Sequence, residues 1–215
     1  MQNVEELQQY VDSLTKELVL TSQTVVAAPG CLPAPCFPEI IMKVLGVVTE
    51  HEWEDLTDRA RNYLKWITVK AEAIDELAPR PMHTTTRGFE LLAIDRDGNS
   101  FGEIVERSQE LSIPSVLVRF ASLIATFLTV RLLSQQMERD HEIMPSLTFS
   151  QNVDTNYLNY PRTLKTLLEL FPEYHEMFYF EINEEVTEDY LTTIRTLAED
   201  LGIRLALDDT NKMDV

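Results

Sequence analysis

The sequence predicts an α/β fold in which parallel βα repeats follow an N-terminal helical extension. Three observations carry that reading. Residues 178–209 read as a strand, a helix of about four turns and a second strand with almost no loop, which is a parallel βαβ unit. From residue 88 onward the chain alternates strand, helix or helices, strand, helix, strand, helix, strand, as a parallel sheet or barrel requires. Before residue 79 the periodicity is helical.

Residues 3–22 place Val4, Leu7, Val11, Leu14 and Leu18 at alternating spacings of three and four, a heptad seam. Fewer than three heptads are available, so an amphipathic helix docked on its own domain is favoured over a dimerising coiled coil. Residues 26–38 hold four prolines and one glycine and form a linker. Cys31 and Cys36 lie in it, but no second ligand pair accompanies them, so the pair is not read as a metal site. Helices are expected near 39–49 and 53–78, the second burying Leu56, Ala60, Tyr63 and Ile67 and ending at Pro79 and Pro81. The extension therefore divides into an amphipathic helix over 1–25, a proline-rich linker over 26–38 and a helical region over 39–81. No chemistry is found in it.

From Met82 the texture changes. Gly88 to Ile94 (GFELLAI) reads as a strand and Asp95 to Gly98 as a turn. Asp95, Asp97, Asn99 and Glu106 mimic ligand places of a calcium loop, but Ser100 stands where the sharp-turn glycine is obligatory, so a plain turn is favoured. Phe101 to Leu111 is a short helix, and Ser115 to Arg139 a long one. The most apolar part of the long helix, FASLIATFLTV, is bracketed by Arg119 and Arg131; it is too short for a bilayer and suits a buried core. Leu147 to Val153 is a strand, and Pro161 to Phe171 a helix with Leu164, Leu167, Leu168 and Phe171 facing inward.

The last unit is the clearest. Phe178, Phe180 and Ile182 alternate with Tyr179, Glu181 and Asn183. Thr187 can cap the next helix, with Glu188 and Asp189 in its first turn. Leu191, Ile194, Leu197 and Leu201 form its apolar stripe, and Gly202 supplies a left-handed stop before the strand IRLALDD. Sites in such units gather at the carboxyl ends of the strands, where Glu181 and the pair Asp208–Asp209 fall. Adjacent carboxylates repel unless a cation screens them, so a metal site is expected there.

Composition narrows the partners. The 215 residues carry a formal charge of -18, and the stretch from Pro172 onward holds 12 acidic against 3 basic residues. Such a surface repels DNA, RNA and anionic lipid, so neither nucleic acid nor membrane is a default partner. With two cysteines and no secretion-type segment, a reduced, cytoplasmic setting is the simplest reading.

Five segments in order resemble the motifs of EAL domains, the phosphodiesterases that open the bacterial messenger cyclic di-GMP. Phe178–Asn183 and Ile203–Asp209 resemble the family's glutamate-isoleucine-threonine and leucine-aspartate-aspartate strands. Phe149–Leu158 (FSQNVDTNYL) resembles its asparagine-bearing strand, GFELLA the signature that names it, and Phe101–Leu111 the helix that follows. The resemblance covers residues 82–215. It implies a modified, here partial, TIM barrel with two divalent cations, Mg or Mn, at the strand ends. On that template Glu90, Asn152, Glu181 and Asp208 are metal ligands, and Asp209 helps hold the second cation. Hard oxygen ligands suit such ions, which must also meet phosphate oxygens.

The departures are equally specific. The family's name motif is followed by an arginine that contacts substrate phosphate; here Ala93 follows it. The glycine-rich segment after the aspartate pair is replaced by Thr210, Asn211, Lys212 and Met213. The family's later strands, with their lysine and catalytic glutamate, are expected beyond Val215, or another surface covers the gap. These features favour a degenerate EAL-like regulatory or interaction module that binds a protein partner, a second copy or cyclic di-GMP without hydrolysing it. A Mg- or Mn-dependent cyclic di-GMP phosphodiesterase is the second reading, and a structural or assembly protein the third.

Overall fold

The computed structural model describes residue 9 and residues 50–76, 85–139, 148–153, 155–171, 177–182 and 187–207. Apart from residue 9, the expected helix over 3–22 lies outside the described residues, as do the linker over 26–38, the helix near 39–49, and Asp208 and Asp209. In chain order the elements are α1 (Glu50–Asp55), α2 (Asp58–Leu64), β1 (Thr68–Glu76), β2 (Thr85–Ile94), α3 (Phe101–Glu110), α4 (Ser115–Arg139) and β3 (Thr148–Asn152). A 3-10 turn (Thr155–Asn159), α5 (Pro161–Glu169), β4 (Phe178–Ile182), α6 (Glu188–Leu201) and β5 (Arg204–Leu207) follow.

One expectation is corrected. The single helix over 53–78 is two short helices and a strand. Thr57 is extended, and its hydroxyl accepts from the Ala60 amide at 3.1 Å, which ends α1 and starts α2. Of the expected apolar stripe, Leu56, Ala60 and Ile67 are buried, and Tyr63 is half-buried. The stripe stops at Ile67 because the following residues, opening with β-branched Thr68 and Val69, join the sheet beside β2 instead.

The sheet has the order β1-β2-β3-β4-β5. Strands β2 to β5 are parallel neighbours, which makes this a mixed α/β protein with a five-stranded, mostly parallel sheet. The described residues fall into two compact units, one from residues 1–71 and 92–144, the other from 72–91 and 145–215.

In the first unit α4 is the core. Every residue from Phe120 to Val130 is buried, including Ser122, Thr126 and Thr129. Ser122 satisfies its hydroxyl by donating to the Val118 carbonyl at 3.0 Å, which is how a polar side chain survives inside a helix bundle. Helices α2 and α3 pack on α4. No described helix is long and apolar enough to cross a membrane.

In the second unit Phe149, Phe178 and Phe180 are buried, with the Phe149 and Phe178 rings 6.0 Å apart. Helix α5 buries Leu164, Leu167 and Leu168, and α6 buries Tyr190, Ile194 and Ala198. The two helices touch, and α6 also packs on β5. Both ends of α6 are capped: the Thr187 hydroxyl accepts from the Tyr190 amide at 3.4 Å, and Gly202 is left-handed at φ 70. Tyr190 also donates its hydroxyl to the Val153 carbonyl at 3.0 Å, tying the helix to the end of β3.

Candidate functional site

Strand register decides which polar side chains meet. Glu90 pairs with Ser150, Ser150 with Tyr179, and Tyr179 with Arg204. One step toward the carboxyl ends, Asn152 pairs with Glu181. Alternate residues of a strand share a face, so these six lie on one face of the sheet in two rows. The opposite face carries Phe89, Phe149, Phe178, Phe180 and Ile182.

Three of the five ligand positions expected from sequence thus stand on adjacent parallel strands, on one face. Asn152 donates from Nδ2 to Glu90 Oε1 at 3.3 Å. Asn152 is exposed, while Glu90 and Glu181 are half-buried. Beside them, Arg204 donates from Nη1 to the Tyr179 hydroxyl at 2.7 Å, and its guanidinium lies 4.4 Å from the centre of the Tyr179 ring.

The donors are hard oxygens: two carboxylates and an amide that presents its oxygen if it turns over. That set fits Mg2+ or Mn2+. Among the described residues no group of three or more His, Cys, Asp or Glu side chains is placed to hold a metal, so the fit rests on this mixed set. A further polar atom belongs to the same face. Ser150 is 4% exposed, and its Oγ has no hydrogen-bond partner among the described residues. A buried hydroxyl left so costs about 1–3 kcal/mol. Sequence reasoning passed over Ser150, although the period of two in Phe149–Asn152 places it on the face of Asn152.

The first unit holds a separate cleft of about 400 Å3. Tyr63, Trp66, Asp95, Arg96 and Glu106 are among its lining residues. The sequence carries a signal for it, since Arg59, Asn62, Tyr63 and Trp66 repeat at helical spacing. Trp66 is 40% exposed, with the Arg96 guanidinium 5.0 Å from its ring centre.

Asp95 is the hub of the turn. Its Oδ1 accepts from the amides of Asp97 at 2.9 Å and Asn99 at 3.0 Å, and its Oδ2 accepts from Asn99 Nδ2 at 2.9 Å and the Tyr63 hydroxyl at 3.1 Å. Burial opposes its ionisation, but these hydrogen bonds outweigh it and hold the carboxyl below the usual aspartate value. Burial, then the bond to Asp95, push the Tyr63 phenol well above its ordinary value. The carboxylate is an Asx-turn acceptor, as the plain-turn expectation requires. Glu103 accepts from the Ser100 amide at 2.7 Å, closing a capping box on α3.

No protein-family profile matches the chain, and no curated protein does. Solved structures do match. The Vibrio cholerae LapD S helix-GGDEF-EAL protein bound to cyclic di-GMP is 16% identical over 78% of this chain and 39% of its own, with a TM-score of 0.43. Klebsiella pneumoniae BlrP1, in a manganese and cyclic di-GMP complex, is 15% identical over 84% of this chain and 48% of its own, with a TM-score of 0.47. The chain spans less than half the length of these structures.

Proposed function

We propose that this chain is a degenerate EAL-like regulatory or interaction module that does not hydrolyse cyclic di-GMP. The observation that carries the reading is the joining of Glu90 and Asn152 by a hydrogen bond, with Glu181 registered beside Asn152. Motif residues from three distant segments share one face of a parallel sheet, as ligands of a common site must. Solvated strand ends alone offer no reason for that convergence.

Other positions of the sequence argue against turnover. A divalent cation, when bound, polarises phosphate oxygens and lowers the pKa of bound water. Hydrolysis also needs phosphate clamps held to within about 1 Å, since such a misplacement can cost roughly a hundredfold. Ala93 offers no guanidinium, and Thr210 to Met213 contains no glycine to bring backbone close to a second cation. Glu90, Asn152 and Glu181, with Asp208 and Asp209 of the sequence motif, are therefore assigned weak cation binding. A protein partner or a second copy is the expected target, because a formal charge of -18 repels nucleic acid.

Incubation with cyclic di-GMP and saturating Mg2+ or Mn2+, followed by chromatography, tests this. No linear dinucleotide is expected. Linear product that Glu90→Ala abolishes would overturn the reading in favour of a Mg- or Mn-dependent phosphodiesterase, which the retained oxygen ligands favour.

A further inference from the structure

We infer that the cleft of the first unit is a docking site for an arginine-bearing segment of a partner protein, with one guanidinium over Trp66 and the carboxylates of Asp97 and Glu106 as counter-charges. The inference is independent of the oxygen ligands on the sheet.

Two helix faces line the cleft. Arg59, Asn62 and Tyr63 of α2, with Trp66 just beyond its end, form one wall at helical spacing. Glu103, Glu106, Arg107 and Glu110 of α3 form the other at the same spacing. Most of the charges are engaged within the molecule. Asp95 accepts its hydrogen bonds from Tyr63 and the turn, Glu103 closes the capping box, and Arg107 pairs with Glu110. The Asp97 and Glu106 carboxylates are exposed and have no ion pair or side-chain hydrogen bond among the described residues.

Two such carboxylates alone would be an ordinary solvated surface. The opposite wall distinguishes them. Trp66 is 40% exposed, and the guanidinium of exposed Arg96 lies 5.0 Å from its ring centre. Arg96 has no carboxylate partner among the described residues, although carboxylates line the same cleft. The indole therefore already holds a guanidinium over its face, tethered to the turn at Asp95–Gly98. Arg96 is the molecule's own stand-in for a cation supplied by a partner. The lining carries five carboxylates against three guanidiniums, and the whole chain carries a formal charge of -18, so a basic segment is attracted and an anionic ligand opposed. Most lining residues are exposed, so the cleft cannot enclose a small molecule as ligand pockets do. It suits a chain segment that the rest of a partner holds in place.

The test is titration of the full chain with a short capped peptide carrying two arginines, with its citrulline counterpart and with arginine amide, read by calorimetry and tryptophan emission. Trp53, the other tryptophan, is buried, so a change in emission reports on Trp66. The arginine peptide is expected to bind and shift the emission, and the uncharged citrulline peptide to do neither. Arginine amide should bind about tenfold more weakly than the peptide, which meets both carboxylates at once. Trp66→Ala should weaken peptide binding about fivefold, and Arg96→Ala should tighten it about threefold by removing the resident competitor. Both side chains are exposed, so neither change should lower the melting temperature. No binding of the arginine peptide, or equal binding by wild type and Trp66→Ala, would overturn the inference. So would equal or weaker binding by Arg96→Ala, or equal binding of the citrulline peptide. Arginine amide binding as tightly as the peptide would overturn the assignment to a protein segment in favour of a small organic cation.

Discussion

Asn152 and Glu90, 62 residues apart in the chain, are joined by a 3.3 Å hydrogen bond from Nδ2 to Oε1. The contact exists because β3 lies directly beside β2, in a register that sets Glu90 against Ser150 and Asn152 one step further on. Neither strand could place its partner alone.

Replacing Asn152 by aspartate should expose that dependence. Asn152→Asp removes the donor and sets a second negative charge beside Glu90, so without cation the variant should lose about 1 kcal/mol. Mn2+ should restore it, raising the melting temperature more than in wild type. Thermal unfolding with Mn2+ and with chelator measures both arms.

Gly88 is held by steric need. A Cβ there would collide with the carbonyl and hydroxyl of Thr148 on the neighbouring strand. Gly88→Val should therefore push β2 from β3 and cost about 1–3 kcal/mol in denaturant unfolding. Gly102 in α3 meets nothing within 4 Å, so Gly102→Ala should be neutral or stabilise by about 0.5 kcal/mol.

Asp95 predicts an acid limb to stability. Its folded pKa lies below the ordinary aspartate value, so its contribution is fully present above that value. It is lost as pH falls through the lower, folded pKa. The melting-temperature gap between wild type and Asp95→Asn should be widest near neutral pH and close over that acid window. Tyr63→Phe removes one of four hydrogen bonds to this carboxylate and should cost about 1 kcal/mol at pH 7.

The caps of α6 give a local test. Gly202 sits at φ 70, so Gly202→Ala should cost about 1 kcal/mol. Thr187→Ala, which removes the hydroxyl that accepts from the Tyr190 amide, should cost a similar amount, about 1 kcal/mol. Urea titrations of both variants measure this.

Much of the fold was legible because its signals are local. The bounds of α4, the caps of α6 and the parallel strands β2 to β5 follow from periodicity, Thr187 and Gly202, which act within a turn or two of themselves. The stretch after Ile67 was not legible. A helical stripe through Leu56, Ala60 and Ile67 extrapolates naturally into more helix, yet residues 68–76 form a strand, because sheet pairing with β2 outweighs their modest local preference. The site divides in the same way. Sequence alone singled out Glu90, Asn152 and Glu181 as candidate oxygen ligands, through the motifs they resemble. Only the tertiary structure set Ser150 between Glu90 and Tyr179 with a buried, unpartnered hydroxyl, and bonded Tyr63 to Asp95. Cross-strand register and helix packing create those neighbours, and neither is encoded in any single segment.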